Sequence, residues 1–246
     1  MSINTFSSNP STSLWDLMEW QPSPKQLKQF IKLQSILKFW NDQVNLTRLI
    51  DGNDFWINQV FDSLWPLKSK LRNQQEDLNC IDVGSGCGFP GLAIAIALPQ
   101  TKVTLIDSNS RKTSVLTKIA KELEINWRIS IWTERVESFA HKSSFRGEFD
   151  LAIARAVAHA PVVAEYLVPL LNGEGEALIY RGKWSNRDAI ELNKALLLLN
   201  SKIKKIANIK LPDNRGERNV IHIEPNGECP KRYPRAIGIP SKRPLR

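Results

Sequence analysis

Between residues 79 and 198 the chain alternates apolar segments of strand length with segments that have helical spacing. The strand-length segments are rich in branched residues and do not alternate polar with apolar positions. Strands of this kind belong to a parallel sheet that is covered on both faces. The pattern therefore predicts a doubly wound α/β fold. The strand segments are NCIDVG, KVTLIDS, RISIWTERVE, FDLAIARAV and EALIYRG, and the helical segments are PGLAIAIALP, RKTSVLTKIAKELEI, APVVAEYLVPLL and NRDAIELNKALLLLN.

The following stretch, KIKKIANIKLPDNRGERNVIHIEP, is typical of two strands joined by a loop rich in turn-forming residues. We predict that these strands form an antiparallel pair at one edge of the sheet. Such a pair is unusual in folds that bind nicotinamide dinucleotides, but it is usual in methyltransferases that use S-adenosylmethionine (AdoMet). The predicted fold class is therefore a Rossmann-like class I AdoMet-dependent methyltransferase, with its domain over residues 71–229.

Two amphipathic helices are predicted before the sheet, and they form an N-terminal helical extension over residues 14–70. In SPKQLKQFIKLQSILKFWND, Ser23 is a candidate N-cap and Pro24 takes the first helical position. DFWINQVFDSLWPLKSK repeats large apolar residues at helical spacing, and Asp54 is expected to start this helix. Aromatic residues at such spacing usually belong to a core, so Trp40, Trp56 and Trp65 are interpreted as packing. Residues 1–13 are rich in Ser, Asn, Thr and Pro and are expected to be disordered.

The segment IDVGSGCGFPG places four glycines directly after the first strand and before a helix. Backbone without side chains at such a position lets a polar ligand approach the amides closely. Gly84, Gly86, Gly88 and Gly91 are spaced GxGxGxxG, which differs from the GxGxxG spacing of dinucleotide-binding folds. The spacing favours AdoMet over a nicotinamide cofactor, and the alternative is a tight turn without a ligand. Gly84 and Gly86 are the candidate cofactor-binding glycines.

Further candidates lie where the later strands end, because ligands of open α/β sheets bind along that edge. Asp107 ends KVTLID and could accept hydrogen bonds from both ribose hydroxyls, or it could cap the next helix. Val136 and Glu137 follow the third strand, where Glu137 could hold the adenine or be a surface acid. Arg155 ends the fourth strand, where a cation needs an anion such as the AdoMet carboxylate or an RNA phosphate. The alternative for Arg155 is a salt bridge to Asp82 or Asp107.

The charge of the chain favours a polyanionic partner, although many proteins are basic without one. The formal net charge is +9 and the pI is near 9.5. Three cysteines form no CxxC pair and three histidines lack metal-ligand spacing, so we expect a reducing compartment and no metal. The sequence has no basic region followed by an apolar one at its start, and no apolar run of membrane-spanning length. A soluble, cytoplasmic protein without membrane contact is predicted.

Residues 230–246 form a basic C-terminal tail that contains no acid. Four prolines are expected to keep the tail from forming a helix, and Tyr233 offers a ring on which a base could stack. This composition favours contact with RNA, and the alternative is a solvated tail. The cations of the tail are Lys231, Arg232, Arg235, Lys242, Arg243 and Arg246.

Several motifs, in the same order along the chain, resemble the family of bacterial rRNA small-subunit methyltransferase G, also called glucose-inhibited division protein B. They span about residues 25–245 and are WNDQVNLTRL, FDSL, IDVGSGCGFPG, LIDSNSRKTSVL, RVE, ARAVA and PKRYPRAIGIPSKRPL. The resemblance implies methylation of N7 of the guanine at position 527, in the 530 loop of 16S rRNA. The implied partner is 16S rRNA or the small ribosomal subunit. The AdoMet contacts that the resemblance implies are Gly84, Phe89, Asp107, Val136, Glu137 and Arg155.

The chain departs from the family pattern at two places. Gln59 stands where the family usually has His, and YRGK replaces the LKG that often follows the fifth strand, so Arg181 or Lys183 must supply the cation there. Guanine N7 carries a lone pair and no proton, so the reaction requires alignment of the reactants rather than a general base. Arg155 and Arg181 are therefore the candidate catalytic residues, with the role of orienting the substrate. A monomer is expected.

Three other functions are compatible with the sequence. An AdoMet-dependent enzyme that acts on a small molecule or a protein would share the fold, although the basic tail argues against it. A catalytically silent RNA-binding protein of ribosome assembly would keep the fold without the activity, and measurement of AdoMet binding would distinguish it. An NAD-dependent oxidoreductase is disfavoured by the glycine spacing and by the terminal strand pair.

Overall fold

The computed structural model describes residues 12–73 and 77–246, in which seven strands form a mixed sheet. The strands are β1 (Asn79–Val83), β2 (Lys102–Asp107), β3 (Ile129–Thr133), β4 (Phe149–Arg155), β5 (Leu171–Arg181), β6 (Ser201–Lys210) and β7 (Glu217–Pro225). Their order across the sheet is β3-β2-β1-β4-β5-β7-β6. Strands β1 to β5 pair in parallel, and β7 pairs antiparallel with β5 and β6. The predicted doubly wound sheet with a terminal antiparallel pair is confirmed.

Helices cover both faces of this sheet. In β4, Leu151 and Ile153 belong to one apolar cluster, whereas Ala152 and Ala154 belong to a second cluster. Because both faces are buried, the strand sequences show no polar alternation. The helices are α1 (Thr12–Met18), α2 (Pro24–Val44), α3 (Gly52–Phe55), α4 (Asp62–Leu64), α5 (Lys68–Arg72), α6 (Gly91–Ala97), α7 (Ser110–Glu122), α8 (Val136–Phe139), α9 (Ala160–Leu167), α10 (Asn186–Leu198) and α11 (Ile239–Lys242).

Helix α2 is fixed to α6, the helix that follows the glycine loop. Ser23 and Gln26 form a capping box at its start, which confirms Ser23 as the N-cap and Pro24 as the first helical residue. The side-chain amide of Gln26 also donates to the carbonyls of Ile96 and Ala97, at 3.1 and 3.0 Å. These carbonyls lie at the end of α6, where the helix itself provides no partner. The Gln26 side chain therefore caps the start of α2 and donates hydrogen bonds to free carbonyls at the end of α6.

The second predicted helix is broken into short pieces. After α3 the chain forms a π-helical turn (Trp56–Phe61), then α4, a 3₁₀ turn (Trp65–Leu67) and α5. Asp51 precedes the first helical residue, so the start expected at Asp54 is wrong. Trp56 is fully buried, as expected of a core tryptophan. π-Helical turns are often found at functional sites, and this one lies beside the cavity described below.

The basic tail, residues 230–246, folds back against α9. Tyr233 is buried, and the guanidinium of Arg235 makes two hydrogen bonds to the fully buried Glu165, at 2.9 and 2.6 Å. A fully solvated tail is thereby excluded. Pro240 lies in the first turn of α11, so the expectation that prolines keep the tail free of helix is wrong there. Proline is accepted at this position because the first amides of a helix have no partner within the helix.

At the other end, residues 1–11 lie outside the described part of the chain, so disorder there stays a prediction. Thr12 and Ser13, which were included in that prediction, belong to α1. None of the described helices is long and apolar enough to cross a membrane.

Candidate functional site

A cavity of about 730 Å³ opens at the carboxyl edge of the parallel strands. It extends across β1 and β4, where the strand order reverses, which is the position at which open α/β sheets bind ligands. The structure brings together at this cavity every site residue that the sequence predicted. These residues are Gly84, Gly86, Phe89, Asp107, Val136, Glu137, Arg155 and Arg181.

Gly84 and Gly86 form the part of the glycine loop that borders the cavity. Gly84 has a φ of +72°, and a Cβ there would lie 2.6 Å from Cγ2 of Val157. A side chain at this position would therefore collide with the loop after β4. Gly86 has a φ of +55°, and a Cβ there would meet only the carbonyl oxygen of Gly84, at 3.8 Å. The loop thus leaves open space at Gly86, where a ligand can approach the backbone.

Asp82 is the last residue but one of β1 and is almost fully buried. Its Oδ2 accepts a hydrogen bond from the amide of Gly91 at 2.8 Å, whereas Oδ1 has no hydrogen-bond partner among the described residues. Burial raises the pKa of Asp82 to about 7, and the bond from Gly91 and the charge of Arg155 offset this effect only in part. The carboxyl group therefore holds the loop against the start of α6 in a site that disfavours its charge.

Asp107 lies at the end of β2, as predicted, and orders the glycine loop. Its Oδ2 accepts from the amide of Gly86 at 2.9 Å, and its Oδ1 accepts from the amide of Asn109 at 2.8 Å. The helix cap is Asn109, whose side chain accepts from the amides of Arg111 and Lys112. The alternative that Asp107 caps this helix is therefore wrong. Each Asp107 oxygen keeps further capacity to accept a hydrogen bond, because a carboxylate oxygen has more than one acceptor site.

Glu137 lies in α8 and is 3% exposed, so its interpretation as a surface acid is wrong. Its Oε1 accepts from the hydroxyl of Tyr166 at 3.3 Å and from the amide of Gly238 at 3.0 Å. Tyr166 also contacts Ser241 of α11, with 3.1 Å between the hydroxyl oxygens. Val136 lies beside Glu137 and lines the same cavity. The C-terminal tail thus forms part of the wall on the side predicted to hold adenine.

Arg155 reaches from the end of β4 to the N-terminal helical extension. Its guanidinium donates to the carbonyl of Asn58 at 2.9 Å, to Oε1 of Gln59 and to Oδ2 of Asp62 at 3.3 Å. The guanidinium also lies over the ring of Phe89, 5.9 Å from its centroid. The π-helical turn and the start of α4 therefore fix the direction of this cation.

Asp62 is the carboxylate that pairs with Arg155. The alternatives offered by the sequence, Asp82 and Asp107, are wrong as ion-pair partners. Asp62 is 4% exposed, and its Oδ2 also accepts from Nε of Arg218 at 3.4 Å. One buried carboxylate thus serves two arginines, and the pair of arginines carries a net positive charge into the cavity.

Gln59 joins three parts of the site. Its side-chain amide donates to Oγ1 of Thr47 at 3.1 Å and lies 4.0 Å from Sγ of Cys87 in the glycine loop, while its carbonyl oxygen accepts from Arg155. Burial raises the pKa of Cys87, so this thiol stays protonated near neutral pH. An uncharged side chain that both donates and accepts suits this position between a hydroxyl and a guanidinium.

Arg181 ends β5, and its Nη1 donates to the carbonyl of Ala158 at 2.9 Å. The loop after β4 is therefore held by β5, the strand beside it. Arg181 lines the cavity, whereas Lys183, the other cation considered from the sequence, is not among the lining residues. The lining cations are Lys112, Arg135, Arg155, Arg181 and Arg218.

The two halves of the cavity differ in net charge. Three carboxylates and two cations line the half beside β1 to β3, namely Asp107, Glu134, Glu137, Lys112 and Arg135. Three arginines and one carboxylate line the half beside β4, β5 and β7, namely Arg155, Arg181, Arg218 and Asp62. Carboxylates can accept hydrogen bonds from the hydroxyl and amino groups of a nucleoside, and arginines suit phosphates and electron-rich bases. Among residues 12–73 and 77–246, no group of three or more His, Cys, Asp or Glu side chains is arranged to hold a metal ion.

Three functional candidates were missed from the sequence. Thr47 and Asp62 lie within the motifs WNDQVNLTRL and FDSL, so a signal was present, but helical spacing does not tell which sheet edge these side chains reach. Arg218 is the second residue of β7 and reaches the cavity because that strand runs antiparallel to its neighbours. Its local sequence contains no signal of this role.

Comparison with known proteins adds both a family and a fold. The family described as GidB, rRNA small subunit methyltransferase G, matches residues 26–220. A ribosomal RNA small subunit methyltransferase G of Prochlorococcus marinus is 53% identical over 95% of this chain and 92% of the relative. One of Parasynechococcus marenigrum is 50% identical over 96% of this chain and 95% of the relative.

Solved structures share the fold at much lower identity. A branched-chain polyamine synthase of Thermus thermophilus is 14% identical, with a TM-score of 0.53 over 68% of this chain and 56% of that protein. The tRNA methyltransferase TrmK of B. subtilis is 10% identical, with a TM-score of 0.50 over 66% of each chain. These structures support the sheet topology, whereas the sequence relatives match nearly the whole chain at about half identity. The chain belongs to the rRNA small subunit methyltransferase G family.

Proposed function

We propose that this protein transfers a methyl group from AdoMet to N7 of the guanine at position 527, in the 530 loop of 16S rRNA. Membership of the family makes the protein an rRNA methyltransferase, and the nucleotide and atom are the further step. The observation that carries the proposal is the single cavity in which a glycine loop and a group of arginines face one space. We also propose that the protein acts as a monomer in the cytoplasm, on 16S rRNA or on the small ribosomal subunit.

The methyl donor is AdoMet, and the half of the cavity beside β1 to β3 fits it. Gly86 borders open space, and Asp107 keeps acceptor capacity at the strand end where ribose hydroxyls are expected. Phe89 and Val136 contribute apolar surface, and the buried Glu137 is proposed to hold the adenine. When bound, AdoMet supplies a methyl group that is activated by the positive charge on its sulfur.

The arginine half of the cavity is proposed to hold the substrate. Arg155 is fixed by Asn58, Gln59 and Asp62, and Arg181 is fixed by the carbonyl of Ala158. Side chains held in this way can keep a guanine in line with a methyl donor, and such alignment supplies much of the rate in a reaction between two bound partners. The protein needs no group to remove a proton, because guanine N7 has none. The proposed role of both arginines is therefore orientation.

A direct experiment is to incubate the protein with labelled AdoMet and small ribosomal subunits that lack the modification, and then to map the labelled nucleotide. The expected result is label on N7 of the guanine at position 527. Label on another nucleotide, on another atom or on a ribosomal protein would contradict the proposal. A Gly86→Val variant is the control for methylation that does not depend on the cofactor site.

A further inference from the structure

Two large apolar side chains on the cavity wall are left partly uncovered by residues 12–73 and 77–246. Leu49 and Val157 are each 37% exposed, although both line the cavity. Leu49 belongs to the N-terminal helical extension, and Val157 follows Arg155 in the loop after β4. Other large apolar residues that line the cavity, such as Phe89 and Val136, are buried within the fold. Leu49 and Val157 therefore offer free apolar surface inside a cavity that is otherwise rich in charge.

The backbone that presents Val157 is held in an uncommon conformation. Ala156 has a φ of +58°, which lies in the left-handed region that alanine seldom adopts. Such a conformation persists only where neighbouring contacts enforce it, and it is found mainly at functional sites. Here Arg181 holds the carbonyl of Ala158 at 2.9 Å, and Val157 packs over the place where Gly84 lacks a side chain. The position of Val157 is thus fixed from two sides.

Apolar surface at this place suits the proposed substrate. Enzymes that act on a base commonly work on single-stranded nucleic acid or take the base out of the stack, and the faces of the base then gain from new apolar or aromatic neighbours. Arginines beside the cavity can contact the phosphates and polar edges of the nucleotide, but they leave its faces open. Val157 lies two residues after Arg155, in the loop that follows β4, and Leu49 comes from the extension that holds Arg155 in place.

We propose that Leu49 and Val157 contact the faces of the target base and hold it unstacked in the cavity. The inference rests on the proposed function, since it takes a guanine of rRNA as the methyl acceptor. It assigns the two side chains to binding of the base rather than to binding of the cofactor or to packing of the fold.

The test combines removal of a side chain with removal of the base. Small subunits are reconstituted with unmodified 16S rRNA or with 16S rRNA that carries an abasic nucleotide at the target position, and dissociation constants are measured at one salt concentration. We expect wild-type protein to bind the abasic subunits about tenfold more weakly. Leu49→Ala and Val157→Ala should each bind unmodified subunits about threefold more weakly, because the two side chains share the base, and base removal should weaken each variant by a smaller factor than it weakens wild type.

Leu197→Ala is the matched control, because Leu197 is 76% exposed on α10 and does not line the cavity. This variant should behave like wild type on both kinds of subunit. If Leu49→Ala loses as much affinity on base removal as wild type does, the side chain does not contact the base and the inference is wrong. It is also wrong if base removal leaves wild-type binding unchanged.

Melting temperatures and AdoMet calorimetry check that the variants are folded and keep the cofactor site. Val157 packs on Gly84, so a loss of AdoMet affinity in Val157→Ala would leave Leu49→Ala as the deciding variant. The proposed function is tested separately, because mapping of the labelled nucleotide uses the wild-type protein. The label could map to N7 of the target guanine while removal of the side chain and removal of the base weaken binding independently of each other. That result would overturn only the role of these two side chains.

Discussion

At the scale of single residues, Asp107 joins the glycine loop to the end of β2 through the amides of Gly86 and Asn109. We expect Asp107→Ala to weaken AdoMet binding by about 1.5 to 3 kcal/mol, since charge-assisted hydrogen bonds to the ligand are lost. Calorimetry measures this change. Asp54→Ala is the control, because Asp54 pairs with Arg215 and does not line the cavity. An unchanged dissociation constant for Asp107→Ala would mean that the carboxylate only orders its own loop.

Gly86 is the second residue whose change should act on the cofactor site. Gly86→Val places a branched side chain in the space that borders the cavity and at a φ of +55°, where L residues are strained. We expect AdoMet binding to be abolished. Gly173→Val is the control, because a Cβ there meets no atom within 4 Å. Calorimetry that finds wild-type affinity in folded Gly86→Val protein would reject the cofactor assignment.

Asp82 should give the protein a stability that depends on pH. Its pKa is raised from 3.8 to about 7. Between these values the folded protein keeps a proton that the unfolded chain has released, so the free energy of unfolding falls as pH rises, by about 1.4 kcal/mol per pH unit at most. Asp82→Asn removes this titration, so the variant should gain stability relative to wild type between about pH 4 and pH 7. Denaturant unfolding across that range measures the difference, and a difference that does not change with pH would contradict the expectation.

At the scale of elements, the site depends on how α4 meets β4 and β7. Asp62→Asn would leave Arg155 and Arg218 without their shared anion. We expect the free energy of unfolding to fall by about 2 to 3 kcal/mol, which is below the range for fully buried pairs because both arginines are partly exposed. Asp54→Asn is the control, since its more exposed pair with Arg215 should contribute less than about 1 kcal/mol. Equal losses in denaturant unfolding would show that burial of Asp62 adds nothing.

The elements that the sequence predicted well are those in which local signals agree. Ser23, Pro24 and an apolar periodicity together mark the start of α2, and the branched apolar runs mark strands that are buried on both faces. The segment over residues 52–72 was predicted less well, because a π-helical turn keeps an apolar pattern close to that of an α-helix. In the tail, Pro240 was interpreted as a helix breaker, although at the first turn of α11 it is compatible with a helix.

The same distinction applies to the site. Strand ends of a parallel sheet meet along one edge, so Gly84, Asp107 and Arg155 could be assigned to a common cavity before any coordinates. The pair of Asp62 with Arg155 could not, because 93 residues separate them and their contact depends on how the N-terminal extension packs. Sequence periodicity reports which face of a helix is buried, but it does not report which strand lies opposite.

At the scale of the whole molecule, the tail over residues 230–246 carries six of the nine excess positive charges. Lys242 and Arg243 are exposed in and beside α11, next to Ser241 at the cavity. We expect the double change Lys242→Gln and Arg243→Gln to flatten the dependence of log K on log salt for RNA binding by about 1.4, because each single-strand phosphate contact contributes about 0.7. Filter binding at several salt concentrations measures the slope.

The control for this experiment is the double change Lys121→Gln and Lys194→Gln. It removes the same charge from exposed positions of α7 and α10 that do not line the cavity, so the slope should stay near the wild-type value. Equal slopes for the tail variant and wild type would mean that the tail cations do not meet phosphates. Substitution is preferred to deletion of residues 230–246, because deletion would also remove the partner of the buried Glu165.

The docking of the tail also has a consequence for the order in which the enzyme is made. Gly238 donates to Glu137, and Arg235 pairs with Glu165, so two buried acids are matched by groups that follow all seven described strands along the chain. A nascent chain folds from its N-terminus, and the sheet can form before these groups have been joined. The wall beside the proposed adenine position is closed only when they arrive. A protein that modifies ribosomal RNA therefore completes its proposed cofactor site only after its whole described sheet has been made on a ribosome.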